Sequence, residues 1–391
     1  MMIIKRRLLY LFALLGVLVG GIRGSANGDS VTARMRDLGT LGGTQSSAVA
    51  MSDADHVAGY SFIAGNATTH GFVWTRRMGM TDVNPPAGTS SRVIAVNAGG
   101  EAVGSWFTST FQDRGFFWTR ASGSIDLGTL GGVQTTAAAM NAAGQIVGSS
   151  LTAGGMPHAF AWTLANGMID LGTLPGYALS TADAVNGLGQ VAGHCFDLTT
   201  GLFHTFSWTP SGGMVDVGTL PGDSSSFARA MNDSGQIVGS SFGASLGQAH
   251  AFSWTPSGGM IELGTLGGLS TAVRVVNAAG QAAGGGRTVT GEWHAFVWSE
   301  TDGLIDLGTL GGTFSDAVAI NDFGQVVGSS TVAGDRETHA FSWTRDGGMV
   351  DLGSPGMFSS AEAVNALGHV AGQISNQVDA TMHAVAWDRI R

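Results

Sequence analysis

The sequence predicts an all-β protein, an eight-bladed β-propeller, on three observations. Two short motifs recur eight times at a fixed period, each period holds four strand-like segments, and the two ends of the array are complementary fragments of one period. The acidic residue of a DLG-like motif stands at Asp37, Asp82, Asp126, Asp170, Asp216, Glu262, Asp306 and Asp351. The tryptophan of an HAFxW-like motif stands at Trp74, Trp118, Trp162, Trp208, Trp254, Trp298, Trp343 and Trp387. Both series step by 44 to 46 residues, the length of a propeller blade, and eight copies fill residues 35–391 as one domain.

One copy shows the elements. Residues 317–321 (AVAIN) alternate and run into the tight turn DFGQ; residues 325–330 form a second strand. A longer loop precedes 339–343 (HAFSW), and TRDGG turns into 349–353. Asn-x-x-Gly and Gly-Gly corners supply the positive φ that antiparallel hairpins require. In HAFSW, His339, Phe341 and Trp343 share one face and Ala340 and Ser342 the other. A bulky face paired with a small one suits sheets stacked face to face. The alanine-rich AxAIN strand suits the crowded inner position. A β-helix has shorter rungs with fewer hairpins.

The chain opens its repeats with MRDLGT at 35–40, a fourth strand lacking its first three, and ends with HAVAWD at 383–388, a third strand lacking its fourth. The N-terminal strand is therefore expected to complete the last blade and close the ring, which removes open sheet edges.

Residues 1–26 read as a secretory signal peptide. Lys5, Arg6 and Arg7 precede an apolar run from Leu8 to Gly21, and Gly24 and Ala26 take the −3 and −1 positions of a cleavage site. The run is short for a bilayer span, so no stable membrane insertion is expected after cleavage. Removing Lys5, Arg6, Arg7 and Arg23 from the 18 basic residues leaves 14 against 28 acids, and Lys5 is the only lysine. That balance excludes nucleic acid as a partner, because phosphate neutralisation needs basic clusters. Cys195 is the single cysteine, so stability outside the cell must come from packing. The expected product is a secreted monomer, extracellular or periplasmic, without cofactor.

These motifs resemble the bacterial HAF extracellular repeat family, named for the tripeptide present at 158–160, 250–252, 294–296 and 339–341. The likeness to HAFxW…GGMxDLGTLGGxxSxAxAINxxGQVVGxS covers nearly the whole chain after residue 34. It implies a secreted propeller and assigns no activity. RGFFW at 114–118 lacks the histidine, and TDVNPPAG at 81–88 replaces DLGTLGG.

Most residues that suggest chemistry read better as scaffold. His70, His158, His204, His250, His294, His339 and His383, with Arg114 in the eighth place, recur as blade parts and are expected to bond a hydroxyl, a backbone group or the nearby DLG carboxylate. Asp53 and Asp55 in SDADHV suggest a calcium corner, but most copies lack acids there, and no metal site is assigned. The Gly-x-Ser-x-Gly matches at 239–243 and 243–247 lie in a glycine- and serine-rich hairpin rather than a strand–turn–helix. No catalytic residue is assigned.

Departures from the repeat carry more information. Three residues before the Asn slot of the inner strand, the series reads Val49, Ile94, Ala138, Asp183, Arg229, Arg274, Val318 and Glu362. The charges on consecutive copies either pair with one another or meet a ligand. The segment between second and third strands carries Trp106, Phe107 and Phe111 in one copy, Phe196 and Phe203 in another, and Trp293 in a third. Both sets fall on one face in a propeller. The candidate ligand-binding residues are thus Asp183, Arg229, Arg274, Glu362, Trp106, Phe107 and Trp293. The expected function is a non-catalytic binding module for a glycan or protein. The alternative is a carbohydrate-active enzyme, a polysaccharide lyase or glycosidase, with paired acids at the channel mouth.

Overall fold

The computed structural model describes residues 34–110, 112–243, 248–375 and 381–388. The expected signal peptide, Phe111, and residues 244–247 of the second Gly-x-Ser-x-Gly match lie outside them. Among the described residues there are thirty-two strands and no helix. They run as antiparallel meanders of four over residues 42–82, 90–126, 131–172, 179–218, 225–262, 267–306 and 311–351, here sheets 1 to 7. Sheets 6 and 7 are joined by one parallel bridge between Trp293 and Phe314. Sheet 8 comprises Ser359–Val364, Val370–Ser375 and Met382–Trp387 with Met35–Asp37, which pairs antiparallel to the last of these.

In sheet 7 the strands are Gly311–Ile320, Val326–Val332, Thr338–Thr344 and Gly348–Asp351. The first starts earlier than the alternation suggests. Leu310 N donates to Ser330 Oγ at 2.9 Å, which lays the LGG segment along the end of the second strand. Sheets then nest large against small: Phe341 and Val326 of sheet 7 bury against Ala295 and Val297 of sheet 6. A fully buried phenylalanine stabilises by about 1.5–3 kcal/mol, and sheets 1 to 7 each place one at this position, with Val385 in sheet 8.

Every first strand carries a bulge that the alternation did not reveal. The register slips between Ala48 and Ala50, Val93 and Ala95, Ala137 and Ala139, Ala182 and Ala184, Ala228 and Ala230, Val273 and Val275, Ala317 and Ala319, and Ala361 and Ala363. The extra residue is in each case the variable position: Val49, Ile94, Ala138, Asp183, Arg229, Arg274, Val318 or Glu362. A bulged residue has no cross-strand partner and its side chain is re-aimed. The glycine of the VxGxS motif lies opposite. A Cβ on Gly148 would stand 2.0 Å from Thr136 O, so only glycine permits this approach.

Polar links tie each sheet to the next. Asn141, Asn186, Asn232, Asn277 and Asn321 each donate from Nδ2 to the carbonyl of the following asparagine in the series, at 2.9 to 3.1 Å. Asn365 donates to Ser52 O of sheet 1 at 3.3 Å. The corner acids that suggest calcium serve this same junction. Asp55 accepts from Asn365 Nδ2 at 2.7 Å and Asp53 from Ala366 N at 2.8 Å.

Two departures in sheet 2 are coupled. In sheets 1, 3, 5 and 7 a buried serine accepts from the amide of the leucine that opens LGG or LPG. Sheet 2 has NPPAG instead of that segment, and Trp106 occupies the serine position, packed with Val93 and Phe116. A large side chain fills space that the altered loop leaves.

Candidate functional site

The recurrent histidines are held as blade parts. Nδ1 of His70, His158, His204, His294 and His339 lies 2.7 to 2.9 Å from the DLG aspartate of its own sheet, and Arg114 forks onto Asp126 at 2.8 and 2.9 Å. His383 reaches Asp37 at 2.8 Å. His250 has Glu262 in the aspartate place and instead contacts buried Asp223 at 3.0 Å. The aspartates also accept from the amide two residues on, as Asp170 does from Gly172 at 2.8 Å, which fixes the turn after the strand. The hydrogen bond to Asp351 raises the His339 pKa above its usual value, with burial opposing.

Register places the variable groups together at one end of the sheets. Leu179 pairs with Phe196 and Ser225 with Phe242, so the start of each first strand lies beside the end of the second and the loop that follows it. Two constellations form at this end.

The first joins sheets 4 and 5. Asp183 contacts Nδ1 of His194 at 2.7 Å. His194 meets Phe227 at 5.1 Å between ring centroids, edge-on. Phe196, Phe203 and Phe227 are spaced 4.5 Å apart in succession, and Phe227 meets Phe242 edge-on at 5.7 Å. All five rings are half-buried. Arg229 stands two residues beyond Phe227, exposed, with no hydrogen bond or ion pair among the described residues.

The second spans sheets 6 to 8 and centres on Asp316, 8% exposed. Arg274 Nη2 donates to one of its oxygens at 2.6 Å and Trp293 Nε1 to the other at 3.2 Å. A Cβ on Gly285 would fall 2.2 Å from Trp293 Nε1, so the glycine makes room for the indole. Glu362 accepts from the Ser360 hydroxyl. Burial pushes the Glu362 carboxyl pKa up, the Ser360 bond and the Arg274 charge oppose this, and Asp316 adds to it.

Of the sequence-derived candidates, Arg274, Trp293 and Glu362 come together around Asp316, and Asp183 joins the aromatic group. Three expectations need correction. Asp183, Arg229 and Arg274 do not pair with one another, because Asp183 is taken by His194 and Arg274 by Asp316. Trp106 is a core residue, 7% exposed, rather than a loop aromatic. Phe107 and Trp293 lie on strand ends, and Phe107 is 38% exposed. Asp316, His194, Phe227 and Phe242 were not singled out from sequence. Asp316 lies five residues before Asn321, outside the bulged series, and His194 lies outside the HAF frame.

Solved structures share this architecture. The dipeptidyl peptidase 4 of Porphyromonas gingivalis superposes with a TM-score of 0.58 at 9% identity, over 93% of this chain and 60% of that one. The β-propeller domain of the trilobed protease from Pyrococcus furiosus matches with a TM-score of 0.41 at 9% identity, over 74% and 91% of the two chains. TolB from Acinetobacter baumannii gives 0.40 at 12% identity, over 71% and 74%. The chain is a β-propeller. At such identities the likeness extends to the fold alone, and the chain spans about three fifths of the peptidase's length. No protein-family model and no curated protein sequence matches it.

Proposed function

We propose that this chain is a secreted propeller of eight blades, closed into a ring by its N-terminal strand, and that it binds a glycan on the face where second and third strands connect. Closure is supported by the pairing of Met35–Asp37 with the last strand and by the Asn365 to Ser52 bond, which returns the asparagine series to sheet 1. Secretion is supported by the basic start and apolar run of residues 5–21.

The observation that carries the binding reading is the half-buried platform of Phe196, Phe203, Phe227 and Phe242, with exposed Arg229 two residues beyond Phe227 and without an ion pair among the described residues. Half-exposed rings offer apolar faces to the C–H faces of a sugar, and an unpaired arginine suits a carboxylated sugar residue.

One observation favours a second reading, a carbohydrate-active enzyme. Burial and the neighbouring Asp316 charge raise the Glu362 carboxyl pKa, and two carboxyl groups brought close together are the pairing glycoside chemistry uses. One experiment separates the two. The secreted form is applied to an array of neutral and uronate-containing glycans and, in parallel, incubated with the same polysaccharides in solution. Retention of a uronate-containing glycan without released oligosaccharide is expected. Release abolished by Glu362→Gln would establish the enzyme instead, and capture of proteins but no glycan would replace the ligand class.

A further inference from the structure

On the opposite face, where the Asn corners and the turns between third and fourth strands lie, neighbouring sheets leave crevices at equivalent places. One lies between sheets 5 and 6, one between sheets 6 and 7, and one between sheets 8 and 1. Each is walled by the tryptophan of the HAFxW motif on the following sheet, Trp298, Trp343 or Trp74. Their volumes differ: about 490 Å³ between sheets 5 and 6, about 160 Å³ between sheets 6 and 7, and about 10 Å³ between sheets 8 and 1.

The residue two beyond the tryptophan distinguishes the largest of the three crevices from the other two. It is Arg345 on sheet 7 and Arg76 on sheet 1. Arg345 reaches back to Asp302 of sheet 6, and Arg76 to Asp388 of sheet 8 at 2.7 Å. Each arginine thus clasps two sheets across the crevice. On sheet 6 the same position is Glu300, and the residue matching Asp388 is Thr255, so no clasp can form. Ala279 further stands where the sheet 6/7 crevice has the large Phe323.

We propose that the open crevice between sheets 5 and 6 is a second binding site, for a neutral mono- or disaccharide, independent of the aromatic platform. Its volume is that of a small-ligand pocket. The lining combines the Trp298 wall with the hydroxyls of Ser234, Thr255 and Thr301 and the Glu300 carboxylate, while the buried Gln236 has its amide engaged by Asn232, Ser253 and Gly280. No arginine or lysine lines it, so nothing compensates an anionic ligand. A carboxylate with several hydroxyls satisfies the closely spaced hydroxyls of a sugar, and the Trp298 side chain supplies apolar lining.

The test rebuilds the clasp of the sheet 8/1 junction. The double variant Thr255→Asp/Glu300→Arg supplies the acid and the arginine at the matching positions. Saturation-transfer NMR is run on wild type and variant with the methyl glycosides of glucose, galactose, mannose and N-acetylglucosamine, and with ethylamine and methyl glucuronate as cationic and anionic probes. At least one neutral glycoside is expected to receive saturation from wild type. Its affinity is expected to fall at least tenfold in the clasped variant, with a cooperative melt retained, and to stay unchanged in Phe203→Ala/Arg229→Ala. Absence of any response to neutral glycosides, a response to ethylamine or glucuronate alone, or full binding by a folded clasped variant would overturn the proposal. Loss of binding in the Phe203/Arg229 variant only would return the sugar to the aromatic platform.

Discussion

His383 and Asp37 stand 346 positions apart in the chain, yet the imidazole Nδ1 of one lies 2.8 Å from the carboxylate of the other. This is the pair that His158 and Asp170 make within a single sheet. The two ends of the chain thus reproduce a local motif, and Leu38, 5% exposed, is buried as part of it.

Deleting residues 35–40 is expected to destabilise the protein as a whole. The deletion removes a strand's hydrogen bonds and the burial of Leu38, the latter worth about 1.5–3 kcal/mol by itself. Thermal denaturation followed by circular dichroism should show a Tm lower by at least about 5 °C. An unchanged melt would mean that the strand does not contribute to closure.

Gly148→Ala and Gly155→Ala should differ sharply. The first puts a methyl 2.0 Å from Thr136 O across the bulge; the second meets nothing within 4 Å and must only tolerate φ of +79°. The bulge variant is expected to cost about 3 kcal/mol or more, the turn variant about 1 kcal/mol. Denaturant titration of both checks the ranking, and equal costs would mean the strands can part at the bulge without penalty.

The His339–Asp351 contact should be visible as a pH-dependent contribution to stability. The folded-state pKa of His339 is raised above 6.5, so its stabilisation is complete below that value and is lost as pH rises through the folded-state pKa. The Tm difference between wild type and His339→Gln is therefore expected to be larger near about pH 5 than near about pH 8. A difference independent of pH would show that the ring contributes by packing alone.

Glu362→Gln should behave in the opposite sense. A carboxyl whose folded-state pKa is raised above 4.5 costs stability once the pH exceeds the unfolded value. The variant should gain on wild type as pH rises from about 4 to about 7, measured as the difference in Tm. A variant that instead loses on wild type as pH rises would mean that the attraction of Arg274 and the Ser360 bond outweigh burial.

The scaffold was largely legible because it repeats. Trp in all eight copies, with Asp, His and Phe in seven each, marks the strands, the turns and the His–Asp contacts, each a local consequence of spacing. The bulge was not legible, since it is a property of pairing between two strands, although the glycine opposite it recurs in every copy. The candidate site was half legible. The charges at the bulged positions could be found by subtracting the repeat, but their partners could not: Asp316 and His194 meet Arg274 and Asp183 only through register. Trp106 was misplaced because an aromatic beside a loop looks the same in sequence whether it faces solvent or fills the space left by NPPAG.

The recurring residues hold the propeller, and binding is assigned to residues that break the repeat. Glycan-array binding by Phe203→Ala/Arg229→Ala beside wild type tests that division most directly. The double variant should melt cooperatively and lose retention of the uronate-containing glycan at least tenfold. Retention equal to wild type would contradict the assignment of the aromatic and arginine platform.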